Sequence, residues 1–171
     1  MELKKCKGIV IDSRDFRDNR HIHTLFTDIL GKIQLISSGS RKIRSENRES
    51  LLLLSRSEFM LKPGRNFWGV RGTDLEKSFQ VLEYENYTLA VNIINILNKV
   101  IPPDFIDERI YILTVHYIDF IEKSQTDMHE LIRLTFVMKL LYFLGQFPGL
   151  DKCECGSMSG DEFYACTRDS S

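Results

Sequence analysis

Short apolar runs alternate with charged or glycine-containing turns over the first part of the chain, which is typical of β-strands. β-Branched residues, which strands favour, are frequent in these runs, and turn signals such as Pro63-Gly64 separate them. Five short strands so close together fit a small closed barrel better than a sandwich. The predicted strands are residues 4–12, 21–27, 32–38, 51–61 and 66–71.

The apolar pattern changes to helical spacing near Gly72. Thr73 and Glu76 have the spacing of a capping box and predict a helix start. The last apolar stretch is apolar almost all round, so that helix is predicted to lie at the centre of a bundle. The chain therefore has the α+β fold class, with an all-β part followed by an all-α part. Further helices are predicted at residues 86–101, from Asp104 or Asp107 to residue 123, and from Thr126 onwards.

Charge is distributed unevenly along the chain. Residues 1–82 contain 16 Lys and Arg against 10 Asp and Glu, whereas residues 83–171 contain 7 against 14. The first part therefore suits a polyanionic partner and the second does not. A basic loop follows the third predicted strand and could contact phosphates, although composition alone favours a solvated surface loop. The candidate contacts are Arg41, Lys42, Arg44 and Arg48, with Arg20, Lys32, Arg65 and Arg71 as flanking contacts.

Two aromatic residues lie beside the arginines of the fifth predicted strand. Phe67 and Trp68 have Arg65 and Arg71 as neighbours, an arrangement that suits base stacking along a single strand. Consecutive strand residues point to opposite faces, so at most one ring can lie on a binding face. We interpret Trp68 as the core residue.

The cysteines near the end of the chain form an incomplete zinc pattern. Structural zinc sites use four ligands, usually two Cys-x-x-Cys pairs. Cys153, Cys155 and Cys166 supply three sulfurs, and Asp169 stands where a fourth ligand would fall. The alternative is a turn with free thiols. His21 and His23 share a strand face, but a surface pair or one half-buried histidine explains them better than a metal site.

No motif for an enzyme is found in the sequence. Phosphate-binding glycine loops, zinc-protease helices and nucleophile elbows are all absent. The N-terminus lacks the apolar region of a signal peptide, and no apolar run is long enough to cross a bilayer. We therefore expect a cytoplasmic protein without a membrane partner.

Several short motifs, in order and spacing, resemble the N-terminal pattern of the bacterial DNA-repair protein RecO family. The resemblance covers nearly the whole chain, and its first 45 residues are the specific part. The matching stretches are Gly8-Ile-Val-Ile11, Phe16, Thr24-Leu-Phe-Thr27, Gly31-Lys-Ile33, Gly39-Ser-Arg-Lys42, Leu140-Leu-Tyr-Phe-Leu-Gly145 and Leu150-Asp-x-Cys153.

The resemblance implies a barrel of the OB-fold type at residues 1–78, a helical domain at 79–150 and a degenerate zinc-knuckle-like segment at 151–171. That segment ends earlier than is usual for the family, which indicates a short variant or a truncation. The family resemblance also implies a non-enzymatic recombination mediator that requires no cofactor, with zinc in doubt. Its expected partners are single- and double-stranded DNA, RecR, the single-strand-binding protein SSB and, indirectly, RecA. The alternative function is an OB-fold adaptor that binds proteins and has little DNA affinity.

Overall fold

Five strands close into a barrel at the N-terminal side of the molecule. The computed structural model describes residues 2–16, 20–38, 48–79 and 83–146. The strand order is β1-β2-β3-β5-β4, with β3 and β5 parallel and the other neighbours antiparallel. The predicted α+β fold, with a five-stranded barrel of the OB type ahead of helices, is confirmed. The strands are β1 (Lys4–Phe16), β2 (Arg20–Thr27), β3 (Gly31–Ser38), β4 (Arg56–Lys62) and β5 (Trp68–Lys77).

Strand β1 is apolar on both faces because it serves two cores. Val10 points into the barrel and packs with Leu25 and Phe59, while Ile9 and Phe26 belong to the core shared with the helices. Side chains alternate along a strand, so one strand can supply both cores. The barrel interior is completed by Cys6, Ile33, Leu35, Leu51 and Leu61.

Within the described residues three α-helices follow the barrel, and the first two pack against the outer side of β1 and β2. They are α1 (Tyr84–Val100), α2 (Glu108–Ile121) and α3 (His129–Phe143), with a short 3₁₀ helix at Thr126–Met128 ahead of α3. Asp107 caps α2, since its Oδ1 accepts a hydrogen bond from the Arg109 backbone N–H at 2.9 Å. The sequence predicts Asp104 or Asp107 as the start of this helix, and the structure selects Asp107. No helix within the described residues has the length and hydropathy to cross a membrane.

The turn between β2 and β3 holds the barrel against the helices. Gly31 adopts a φ of 67° there, as expected for a turn glycine. A Cβ at this position would lie 2.1 Å from the Phe105 carbonyl oxygen, so only glycine allows the two backbones this close. The Asp104 N–H donates to the Lys32 carbonyl at 3.0 Å, which fixes the loop between α1 and α2 on this turn.

Two predictions about local structure are wrong. Residues 51–54 were predicted as the start of a strand, but they form turns, and Leu54 has a φ of 67°. Leu54 is nevertheless buried, because a turn can place an apolar side chain in the core as well as a strand can. The helix start at Thr73 and Glu76 is also wrong, since both residues lie in β5, where Thr73 pairs with Phe59 of β4. The ladder to β4 overrides the local cap signal.

Helix α3 does not lie at the centre of the described bundle, in contrast to the prediction. Ile132, Phe136 and Leu140 are its buried side chains. On another side of the helix, Leu134 is 57% exposed and Tyr142 is 67% exposed. The helix is apolar almost all round, as the sequence indicates, but the described residues cover one side of it.

Candidate nucleic-acid interface

One end of the barrel brings together three separate connections of the chain. Phe16, the last residue of β1, pairs with Arg20 at the start of β2, and Arg20 pairs with Ser38 at the end of β3. The ring of Phe67, in the turn between β4 and β5, lies 6.2 Å from the ring of Phe16. We call this end, defined by Phe16, Arg20, Ser38 and Phe67, the barrel mouth. In OB folds the connections from β1 to β2 and from β4 to β5, two of these three, bind oligonucleotides.

Two of the predicted phosphate contacts lie at the barrel mouth. Arg20 is exposed at the start of β2, and Arg65 is exposed in the turn that carries Phe67. Both guanidinium groups can therefore meet a polyanion at this end without displacing any described residue. Their role in DNA binding stays a prediction.

The central residues of the predicted basic loop, Arg41, Lys42 and Arg44, lie outside the described residues. They belong to the connection that leaves β3 at Ser38, so that connection starts at the barrel mouth. Arg48, where the described chain resumes, is exposed. The Arg48 carbonyl accepts from the Leu51 N–H at 3.2 Å, which holds the end of the connection against the turns of residues 48–55.

Arg71 is placed by an irregularity in the sheet. Val70 pairs with Leu61 and Gly72 pairs with Met60, so Arg71 is the extra residue of a β-bulge in β5. A bulge re-aims the side chain of its extra residue. Arg71 is exposed as a result and lies on the outside of the barrel, while Val70 packs against its interior.

Lys32 has a partner within the protein. Its Nζ donates to the Asn98 carbonyl oxygen at 2.7 Å, in the last turn of α1. A lysine at a helix C-terminus satisfies a free carbonyl and interacts favourably with the helix dipole. Burial lowers the pKa of the Lys32 ammonium. The structure thus places Lys32 at the junction with the helices, apart from the barrel mouth.

The structure separates the two aromatic residues that the sequence placed side by side. Trp68 is half-buried and packs against the barrel interior, in line with our interpretation of it as a core residue. Phe67 contacts Phe16, which is 42% exposed. Phe16 and the exposed Arg14 were not predicted as contacts, because β1 continues four residues beyond its predicted end. The sequence does contain an indication of this contact, because Phe16 is the one apolar residue in the charged stretch 13–20.

A buried histidine lies inside the barrel below these residues. His23 is 7% exposed, and its ring nitrogens lie 3.0 Å from the hydroxyls of Ser13 and Ser37. Burial, with a smaller contribution from the charge of His21, lowers the pKa of His23 to about 4, although Asp12 opposes the shift. His23 is therefore neutral at physiological pH and serves as a hydrogen-bonding core residue.

The described residues offer no metal site. They contain no cluster of three or more His, Cys, Asp or Glu side chains able to hold a metal ion. His21 instead lies 2.9 Å from Asp15. Cys153, Cys155 and Cys166 lie outside the described residues, so zinc binding there stays a prediction.

Comparison with known families covers both parts of the chain. The family model described as "Recombination protein O N terminal" matches residues 1–79, and the one described as "Recombination protein O C terminal" matches residues 81–170. The chain belongs to the recombination protein O (RecO) family. The family resemblance that the sequence motifs indicate is therefore confirmed.

Individual RecO relatives resemble the chain along most of its length. The DNA repair protein RecO of Acetivibrio thermocellus is 29% identical over 167 residues, and that of Caldanaerobacter subterraneus subsp. tengcongensis is 24% identical over 168 residues. Each alignment covers 96% of this chain but only 66% and 68% of those two relatives, respectively. The RecO of Desulfitobacterium hafniense is 28% identical, with 91% of this chain and 57% of that protein covered.

Proposed function

We propose that this chain is a non-enzymatic recombination mediator that binds single- and double-stranded DNA through its barrel and anneals complementary strands. One observation carries the proposal. The barrel mouth joins the exposed Arg20, the ring of Phe16 and the start of the basic connection at residues 39–48. The DNA-repair names of its relatives point in the same direction.

The proposed binding is mainly electrostatic. Lys and Arg neutralise phosphates and release condensed counterions, which requires no exact geometry and no base readout. A half-exposed aromatic ring such as Phe16 adds sequence-tolerant stacking with a base. Annealing by this mechanism needs no catalytic residue, because two strands only have to be held close while their repulsion is screened.

The helical part would serve as a scaffold and a protein-docking surface. Residues 83–171 contain twice as many acidic as basic residues, which disfavours DNA wrapping around them. In this proposal RecR and SSB are protein partners, and the complex assists RecA loading in the cytoplasm. No cofactor is required for these steps.

The test is the fluorescence anisotropy of labelled single-stranded DNA over a salt series. Wild type is compared with Arg41→Ala/Lys42→Ala/Arg44→Ala and with a control, Lys99→Ala/Lys123→Ala/Arg133→Ala. The control removes the same charge from exposed positions on the helical side. Each lost phosphate contact lowers the slope of log K against log salt by about 0.7 for single strands. We expect the loop variant to lose affinity and about two slope units, and the control to keep both.

Equal, weak and salt-insensitive binding by all three proteins would contradict the proposal and favour the alternative, an OB-fold adaptor for protein partners. A Phe16→Ala variant separates the stacking contribution from the charge contribution. It should weaken single-strand binding by about 1–3 kcal/mol, the usual range for one stacked base, without changing the salt slope.

A further inference from the structure

An apolar groove of about 660 Å³ runs between α2 and α3. Ile112 and Phe120 line one side and Leu131 and Phe143 the other, and Leu131 is 55% exposed. Lys139 also lines the groove, with its Nζ over the ring of Tyr117 at 5.4 Å from the ring centre.

A groove of this kind indicates an occupant. Soluble chains rarely leave large contiguous apolar patches open, and those that exist usually bind another segment or molecule. Within the described part of the chain nothing fills the groove, and Lys139 has no carboxylate within 4 Å. The occupant should therefore be partly apolar and carry negative charge.

We propose that residues 147–171 of this same chain pack into the groove between α2 and α3. These residues directly follow α3, whose last residue, Phe143, already lines the groove. The C-terminal family model covers residues 81–170 without interruption, so the helices and this segment belong to one family unit. This inference does not depend on the proposed DNA binding.

Composition and reach both fit this occupant. Residues 147–171 contain five Asp and Glu against two Lys and Arg, which complements Lys139 at the groove. Their apolar residues include Phe147, Leu150, Phe163 and Tyr164. The length of α3 is about 22 Å at 1.5 Å per residue, and 25 extended residues span up to about 80 Å. The segment can therefore run along the whole groove.

Photo-crosslinking in the full chain tests the proposal. Benzoylphenylalanine replaces Leu131 in the groove or, as a control, Tyr84 at the start of α1, which is 78% exposed. Crosslinked peptides are mapped by mass spectrometry over a dilution series. We expect the probe at 131 to react within one chain with residues 147–171 at a yield independent of dilution, because attachment gives a high effective concentration. The yield should also be well above that of the control, because the segment lies in the groove and not beside Tyr84.

Three outcomes would overturn the proposal. Products between two chains that disappear on dilution would identify a second copy as the occupant. Equal yields at positions 131 and 84 would show no preference for the groove. Products confined to other parts of the chain would exclude residues 147–171.

A second variant tests the charge pairing. Lys139→Glu should lower the intrachain yield about two- to fivefold, the range for one exposed ion pair. Lys123→Glu, an exposed change of the same charge outside the groove lining, should leave the yield unchanged. An unchanged yield in the Lys139→Glu variant would overturn the pairing of an acidic segment with this groove.

Discussion

The barrel and the helices differ in how completely they bury their apolar side chains. In the barrel, Leu25, Leu35 and Phe59 are fully buried, and the exposed apolar residues are scattered. In the helices, Leu131 in the groove and Leu134 outside the groove lining are both more than half exposed among the described residues. The closed sheet buries its own interior, since a barrel has no edges and an inside of its own. A layer of three helices has a second face, which needs a further layer to cover it.

The largest expected effect separates the two regions directly. Phe59→Ala removes a fully buried ring from the barrel and should lower the free energy of unfolding by about 3–5 kcal/mol. Leu134→Ala on the exposed side of α3 should cost about 0.5 kcal/mol, as usual for surface positions. Urea denaturation of both variants measures the difference. Equal losses of unfolding free energy in the two variants would contradict the difference between a closed barrel and an uncovered helix face.

A second prediction concerns the pH dependence of the free energy of unfolding, which reports whether water reaches the barrel interior. Folded His23 has a pKa of about 4, against about 6.5 when unfolded. Between these values the unfolded chain binds more protons, so stability falls as pH falls from 6.5 to 4. The loss by pH 4 should be on the order of 3 kcal/mol.

Chemical denaturation of wild type and His23→Gln at several pH values isolates this contribution. The difference between the two curves should flatten above pH 6.5. A His21→Gln variant should retain most of the pH dependence, because burial lowers the pKa of His23 more than the charge of His21 does. A flat difference across the whole range would mean that water reaches His23.

A third prediction concerns the place where barrel and helices meet. Gly31→Ala places a Cβ 2.1 Å from the Phe105 carbonyl oxygen at a φ of 67°. Gly145→Ala has a similar φ, 68°, with no described residue within 4 Å of the new Cβ. The backbone conformation alone should cost about 1–2 kcal/mol in both, and Gly31→Ala should cost more. Thermal unfolding compares them, and equal costs would show that the two backbones can separate freely.

The smallest expected effect lies in the ion pairs of the same junction. Asp119 of α2 lies 3.0 Å from Arg56 Nη1 and 2.8 Å from Lys77 Nζ, both in the barrel. Burial raises the pKa of Asp119, but hydrogen bonds from Lys77 and Arg56 outweigh it and leave the pKa below its usual value. Asp119→Asn should cost up to about 1 kcal/mol at pH 7, since the pairs are partly exposed.

The sign of the pH dependence follows from the lowered pKa of Asp119. The stabilisation is present above the unfolded value of about 3.9 and is lost as pH falls through the folded value. Glu130→Gln, which breaks the exposed pair with Arg133, is the matched control and should cost less. Unfolding measured at pH 7 and pH 3 tests both variants, and a larger loss for Asp119→Asn at pH 3 than at pH 7 would contradict the assignment.

Sequence periodicity predicted the fold class because the strands and helices carry strong local patterns. It failed at residues 51–54, where an apolar run fits a buried strand and a buried turn equally well. It failed at Thr73, because the pairing with Phe59 of the preceding strand lies outside the few residues that a helix cap signal covers. Long-range pairing decides such cases, and a single sequence does not display it.

The candidate site shows the same limit. Arg20 and Arg65 could be proposed from charge alone, and both are exposed in the structure. Charge alone could not show that Lys32 bonds to Asn98, a residue 66 positions away. Nor could it show that Phe16 and Phe67 meet, since their contact depends on closure of the barrel.

The pairing of β3 with β5, which closes the barrel and is called the seam below, is much shorter than the other strand pairings. Leu35 with Trp68 and Ile36 with Gly69 are the paired residues between β3 and β5 in the described chain. Ladder hydrogen bonds contribute about 0.5–1.5 kcal/mol each, so opening this seam costs less than separating any of the longer antiparallel pairs. The two strands would part beside the barrel mouth while β1 and β2 stay attached to the helices. Local opening of the barrel should thus widen the barrel mouth first. The backbone amide hydrogen of Gly69 should therefore exchange with solvent faster than that of Leu25.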